Sequence, residues 1–166
     1  MRRQALIVGG GIAGLCAAIS LRLTGWDVQV FEQAPEITEI GAGLQISPNG
    51  VKILEHIGVM EGLKSVLFEP EAIEIRMGVS GRPILYLPMK GPAGERWGAR
   101  YIQVYRADLI TALSARLDAL QHGAVQTGCP VLSYAPCKDG AEVILSNGQR
   151  VQADLVIGAD GIHSNL

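Results

Sequence analysis

The sequence predicts an α/β fold whose N-terminal part is built on a parallel β-sheet. Three observations carry this prediction. Residues 4–8 (QALIV) form a short, almost wholly apolar run, as expected of a parallel strand covered on both faces. Residues 12–24 are rich in Ala, Leu and Ile and run into Gly25, the residue type that most often ends a helix. Residues 27–32 (DVQVFE) set Val28, Val30 and Glu32 against Gln29 and Phe31, which predicts a second strand. Strand, helix and strand within about thirty residues make a βαβ unit, whose crossover is expected to be right-handed.

The remaining elements follow in order. Residues 34–45 contain two glycines and read as a loop. Ser47-Pro48 has the form of a helix cap followed by proline at the first helical position, and Gly58 marks that helix's end. Residues 72–79 place Ile73, Ile75, Met77 and Val79 opposite Glu74, Arg76 and Gly78, a half-exposed strand. Ser80-Gly81 turns the chain into a second strand at 84–87. The glycine- and proline-rich stretch 89–98 reads as a loop, and 101–105 as a short strand. Residues 107–121 predict an amphipathic helix, with Leu109, Ile110, Leu113, Leu117 and Leu120 on one face and Gly123 beyond its end. Short strands are predicted at 124–127, 131–135, 141–145 and 150–152. Asp139-Gly140 and Asn147-Gly148 turn the last three into a meander. Residues 154–159 (DLVIGA) form another apolar strand.

Composition narrows the function. Of 166 residues, 14 are Lys or Arg and 16 are Asp or Glu, a net charge of −2, with no basic stripe to follow a nucleic-acid backbone. The apolar content of 48% argues against disorder. Arg2-Arg3 and the apolar run behind them imitate a secretory leader, but Gly9, Gly10, Gly11 and Gly14 interrupt it. No run of about 18 apolar residues predicts a membrane helix. Cys16, Cys129 and Cys137 form no CxxC pair and no cluster with His56, His122 or His163. This favours a reducing cytoplasm, no disulfide framework and no metal site. No histidine has triad or metal spacing, so the catalytic residues stay unassigned.

Chemistry concentrates at Gly9-Gly10-Gly11-Ile12-Ala13-Gly14, a GxGxxG between a predicted strand and a helix. Gly9 allows the tight turn, Gly11 lets a pyrophosphate approach the backbone, and Gly14 lets helix and strand pack closely. The helix N-terminus supplies free amides and a positive dipole end for phosphate charge. Glu32, 18 residues after Gly14, ends the second strand, where a carboxylate can accept from an adenosine ribose. An acid there repels a 2′-phosphate and so disfavours NADP in this pocket. It does not separate NAD from FAD.

Four stretches together resemble the single-component flavoprotein monooxygenases, the salicylate hydroxylase-like aromatic hydroxylases in particular. They are GGGIAGLCAAISL, the loop Gly41–Asn49 (GAGLQISPN), Tyr105-Arg106-Ala107-Asp108-Leu109, and the run from Asp154 through Asp160-Gly161 to Ser164. The resemblance spans the whole chain. It implies a Rossmann-like FAD-binding fold with a parallel sheet, an antiparallel β-meander and part of a second, substrate-domain sheet. Residues 1–68 and 106–166 would form the FAD-binding part, and 69–105 the partial substrate-domain strands. It further implies that Gly9, Gly11, Ala13 and Gly14 hold the FAD pyrophosphate and Glu32 the ribose. Arg106 would contact the cofactor near its phosphates or ribityl chain, and the backbone of Val131 the adenine. Gln45 would face flavin or substrate, and Asp160 and Gly161 would serve both FAD and the nicotinamide donor. The implied activity is hydroxylation of a small aromatic substrate with NAD(P)H and O₂.

Members of this family are far longer. Their second flavin motif and most of their substrate domain have no counterpart here, so the chain is expected to be an N-terminal piece, not competent in catalysis alone. Strands left without partners at 72–105 would expose edges and apolar surface, and self-association is expected there. Two other readings stand beside this one: an NAD-binding dehydrogenase domain using Glu32, and a non-catalytic remnant or interaction module.

Overall fold

A computed structural model describes residues 2–37 and 42–164. The chain divides into two compact units, one of residues 1–39 with 110–166 and the other of residues 40–109.

The first unit contains β1 (Gln4–Val8), α1 (Ile12–Leu23) and β2 (Asp27–Phe31). Within unit 40–109 lie β3 (Gly43–Ile46), α2 (Pro48–His56), α3 (Met60–Leu63), β4 (Ala72–Arg76), β5 (Pro83–Pro88), α4 (Pro92–Trp97) and β6 (Ile102–Tyr105). Helix α5 (Arg106–Leu120) leads back into the first unit. There β7 (Val125–Gln126), β8 (Val131–Cys137), β9 (Gly140–Leu145), β10 (Arg150–Ala153) and β11 (Leu155–Gly158) follow, and a 3-10 turn spans Gly161–His163.

The first unit is organised by a four-stranded parallel sheet in the order β11-β1-β2-β7. Strand β1 lies inside it, with Ala5 paired to Leu155 on one side and to Val28 on the other. Leu6, Val8 and Phe31 form one core with Val143, Leu145 and Ala153 of the β8–β9–β10 meander. Because strand side chains alternate, Ala5, Ile7, Val28 and Val30 face the opposite way, the side on which α1 lies. Leu15, Ala18 and Ile19 of that helix are fully buried. Both faces of β1 are therefore covered, which is why its residues 5–8 are apolar without alternation. The edge strand β11 is only half-buried, although its DLVIGA sequence predicts full burial: it has a strand neighbour on one side only.

Strand β2 is fixed along its outer edge by two different devices. From Val30 onward its amides bond to the β7 segment, Val30 N–H to Ala124 O at 2.8 Å and Glu32 N–H to Gln126 O at 2.9 Å. At Val28 the side chain of Gln121 takes the place of a strand. Its Oε1 accepts from Val28 N–H at 3.1 Å, and its Nε2 donates to Val28 O at 2.7 Å. Arg22, near the end of α1, donates to Asp27 Oδ1 at 2.6 Å and ties the helix to the start of β2.

In unit 40–109, β3 and β6 pair antiparallel, with Gln45 opposite Gln103, and Phe68 bridges to Gln103. Ile102 and Val104 point into the core, whereas Tyr105 on the alternate face is 64% exposed and Phe68 60%. The β4–β5 ribbon is a separate two-stranded sheet. Ile73 and Ile75 lie opposite Leu87 and Leu85 on one of its faces. Ile73 packs on Met89, Ala93 and Tyr101, but Ile75, Leu85 and Leu87 remain substantially exposed.

Three local expectations need correction. Residues 89–98 are not all loop, since α4 occupies Pro92–Trp97. Its glycines and proline are the helix's punctuation: Pro92 opens it, and Gly98 closes it in the left-handed region at φ 71°. The 34–45 loop is shorter than its glycines suggest, because β3 begins at Gly43 and finds a partner in β6. Strand β4 stops at Arg76, where the chain turns toward Gly81, and Val79 is left wholly exposed. Among the described residues no helix is long and apolar enough to cross a membrane, and no three His, Cys, Asp or Glu side chains group as a metal site would require.

The Gln121 clamp gives a stability prediction. Replacing Gln121 by Ala leaves both polar groups of Val28 without that partner. It is expected to lower the unfolding free energy by about 1–3 kcal/mol, measured by urea denaturation.

Candidate functional site

The C-terminal ends of the parallel strands converge on one turn. Gly9, just after β1, donates its N–H to Phe31 O at 2.8 Å, and Ala159, just after β11, donates to Val8 O at 2.7 Å. The turn between β1 and α1 is packed backbone on backbone. Gly9 has φ +107°, and a Cβ placed on it would lie 2.3 Å from Ala159 O. A Cβ on Gly14 would lie 1.9 Å from Gly9 O. Neither position accepts a side chain without moving main chain. Gly11 is different: a Cβ there meets nothing within 4 Å. The bareness of Gly11 thus serves no packing need of the protein itself and leaves room in front of the α1 N-terminus.

Gly11 caps α1 with no side-chain hydrogen bond, and no acidic residue lies in the first turn. The amides of Ile12 and Ala13 have no acceptor among the described residues, as is usual for the start of a helix. Ala13 is exposed, so this first turn is open to solvent. The opening offers N–H donors, a positive dipole end and no side chain in the way, the chemistry that holds a diphosphate.

Glu32 stands beside this turn, and both its carboxylate oxygens are engaged. Oε2 accepts from Gly10 N–H at 2.6 Å and Oε1 from Ala34 N–H at 2.8 Å. Each carboxylate oxygen can accept more than one hydrogen bond, so the group keeps capacity for hydroxyl donors. Asp160 follows β11 and leads into the 3-10 turn; a Cβ on Gly9 would lie 3.0 Å from its Cα. Gly161 takes φ +81°, a conformation that suits glycine. Val131 opens β8, two residues after Cys129, whose N–H donates to Glu32 O at 2.9 Å.

The structure therefore gathers Gly9, Gly11, Ala13, Gly14, Glu32, Asp160 and Gly161 at one end of one sheet, with Val131 on a strand that starts near Glu32. Gln45 and Arg106 belong to unit 40–109. Gln45 lies on the exposed face of β3, and its Oε1 accepts from Tyr101 O–H at 2.7 Å. Arg106 is the first residue of α5, and its N–H donates to Ala42 O at 2.9 Å. In the same unit an open cavity of about 310 Å³ is lined by Gly43, Val66, Phe68, Gln103, Val104 and Tyr105. The sequence gives no role to Gly10, Ala34 or Tyr101. The one available signal is Gly10 itself, the middle of three consecutive glycines, which the GxGxxG spacing does not require.

A family model described as "FAD binding domain" matches residues 2–166. The chain belongs to this FAD-binding family. Its relatives include the 3-amino-4-hydroxybenzoate 2-monooxygenase of Streptomyces cremeus, 40% identical over 158 residues, covering 95% of this chain and 39% of the relative. Another is 3-hydroxybenzoate 6-hydroxylase 1 of Aquipseudomonas alcaligenes, 32% identical, covering 100% of this chain and 42% of the relative. Among solved structures, Klebsiella pneumoniae HpxO complexed with FAD and uric acid superposes with a TM-score of 0.85 at 33% identity, over 99% of this chain and 40% of that one. The chain thus spans about two fifths of the length of these relatives.

The residues present fit FAD. A diphosphate needs a cradle free of side chains, and the space at Gly11 would provide one; an adenosine ribose needs a fixed acceptor, and the anchored Glu32 would provide that. Burial pushes the Cys16 thiol of α1 up from its ordinary value.

The two kinds of glycine separate experimentally. Gly14→Ala forces main chain apart and is expected to cost about 1–3 kcal/mol or more of stability. Gly11→Ala is expected to stay within about 0.5 kcal/mol of the parent. Equilibrium unfolding of the two variants checks both values.

Proposed function

We propose that this chain is the FAD-binding N-terminal part of a flavoprotein monooxygenase that hydroxylates a small aromatic substrate with NAD(P)H and O₂. The observation that carries the reading is the Cβ-free opening at Gly11 with the doubly anchored Glu32 beside it, in a chain whose full described length matches the FAD-binding family. The relatives named above act on aromatic acids, which supports the substrate class. With two fifths of the relatives' length present, this chain is expected to bind the cofactor without hydroxylating efficiently.

In this reading residues 1–68 and 106–166 form the FAD-binding part, and 69–105 the start of a substrate domain. When bound, FAD supplies the redox chemistry and the activation of oxygen. The protein's own residues bind and orient it. The Gly9–Gly14 turn and the open amides of α1, Ala13 among them, receive the diphosphate. Glu32 accepts from the adenosine ribose, and the Val131 backbone borders the adenine. Arg106 supplies positive charge toward the phosphates or the ribityl chain, Gln45 faces the flavin or the substrate ring, and Asp160-Gly161 serves FAD and the nicotinamide donor. No nucleic acid or membrane partner enters this function, and the cytoplasm is its proposed compartment.

Among the described residues the two-stranded β4–β5 ribbon pairs with no other strand and keeps Ile75, Leu85 and Leu87 exposed, and we assign self-association of this chain to it.

Two measurements test these readings. The purified chain is expected to take up FAD and quench its fluorescence. Glu32→Ala and Gly11→Val should weaken that binding by about tenfold to a hundredfold, in line with the loss of hydrogen bonds to a charged partner. A chain that ignores FAD but binds NAD would sink the flavoprotein reading. In size-exclusion chromatography the apparent mass should rise with concentration; a clean monomer at every concentration would remove the self-association.

A further inference from the structure

We infer that Tyr101 is a positioning residue that makes Gln45 a hydrogen-bond donor, so that what meets Gln45 is an acceptor oxygen carried by a planar ring. The inference rests on the reading of Gln45 as a residue that faces the flavin or the substrate ring. It adds the polarity of that contact and the residue that sets it. The Tyr101 ring is 8% exposed and packs with Met89 and Ala93, with Ile73 against the same cluster. Its hydroxyl donates to Gln45 Oε1 at 2.7 Å. Gln45, by contrast, is exposed. Among the described residues no other hydrogen bond holds its side chain.

Order passes from the buried partner to the exposed one. The place of a tyrosine hydroxyl is set by two side-chain torsions, and packing in the cluster holds both. A glutamine has three, and on an exposed strand face they are free. One bond to a fixed hydroxyl removes much of that freedom. It also settles which end of the amide remains. The carbonyl oxygen is engaged, so the open end of Gln45 is Nε2 with its N–H donors. The face around this donor suits a ring. Gln45 pairs with Gln103, Gly43 with Tyr105, and Phe68 bridges to Gln103. Directly opposed residues lie on the same face of a sheet, so Gln45, Gln103, Phe68 and Tyr105 share one face. Phe68, Gln103 and Tyr105 line the open cavity of about 310 Å³, and a Cβ on Gly43 meets nothing within 4 Å. Aromatic walls beside a fixed donor recognise a planar ring that bears a carbonyl or carboxylate oxygen. The flavin ring and an aromatic acid both carry such an oxygen.

The test reads the side chain first and the ligand second. NMR relaxation of the Gln45 side-chain amide should report a restricted group in the parent chain and a freely moving one in Tyr101→Phe, which keeps the ring and removes the hydroxyl. Gln45 is exposed, so water replaces the lost hydroxyl and the thermal midpoint should stay close to the parent's. Equal mobility in the two chains overturns the inference, whatever they bind. Two titrations follow: FAD into the chain, and benzoate into the FAD-loaded chain. Gln45→Glu keeps the shape and the acceptor for Tyr101 but replaces the donor by an oxygen. It should weaken one of the two titrations by about tenfold or more, the loss of one hydrogen bond, and the one that moves names the source of the acceptor oxygen. Tyr101→Phe should weaken the same titration by about threefold, the cost of ordering one side chain on binding. In the Gln45→Glu background it should add little, since the donor it positions is gone. A Gln45→Glu chain that binds both probes as tightly as the parent overturns the donor assignment. A parent that takes up neither FAD nor benzoate overturns the functional reading and the inference with it. An intact difference in relaxation then marks that failure as one of the reading and not of the Tyr101–Gln45 pair.

Discussion

The site depends on how closely backbone can approach backbone at the ends of β1 and β11. Gly9 and Gly14 each sit where a single methyl would collide with a carbonyl oxygen, 2.3 Å from Ala159 O and 1.9 Å from Gly9 O. Only because these contacts are free of side chains does α1 start directly over the sheet, with its first amides facing the space beyond the strand ends. Everything else at the site is positioned from there. Glu32 reaches the turn because β2 runs in register with β1, Val8 beside Phe31. Asp160 reaches it because β11 runs in register on the other side, Val8 beside Gly158.

Packing and function ask different things of neighbouring residues in this one turn. Gly9 and Gly14 are required by the protein's own main chain. Gly10 has the Glu32 side chain as its near neighbour, and Gly11 has nothing within 4 Å. The tightest positions thus stand at the two ends of the six-residue motif, with the open one between them. A pattern of four identical residues conceals three different surroundings, and only the local distances separate them.

How far the sequence is legible follows from the range of the interactions involved. The β1–α1–β2 unit is readable because each of its signals is local: an apolar run, a helix-ending Gly25, an alternating strand. The same holds for the meander, whose turns at Asp139-Gly140 and Asn147-Gly148 are set by adjacent residues. Helix α5 shows its buried stripe of Leu109, Ile110, Leu113 and Leu117 directly. By contrast, β3 is hidden in a glycine-rich segment because its strand character comes from pairing with β6, some sixty positions on. Helix α4 is hidden because Gly91, Pro92 and Gly98 signal a loop in composition and act as start and stop in place. At the site, Glu32 is readable from its distance to the glycines, whereas the amides of Gly10 and Ala34 that hold it are main-chain groups and leave little trace in the residue types.

The pairing of Ala5 with Leu155 has a consequence for how the molecule is made. Gln4 and Asp154, bonded to each other, are separated by 150 positions, and residues 40–109 build a unit of their own in between. Strand β1 therefore has both flanks filled only once residues about 150 positions further along the chain are in place. Contacts of such long range form late and slowly. Ala159, the neighbour that Gly9 must accommodate, follows β11 directly. A chain interrupted before β11 would carry the entire glycine motif without the wall against which it is shaped.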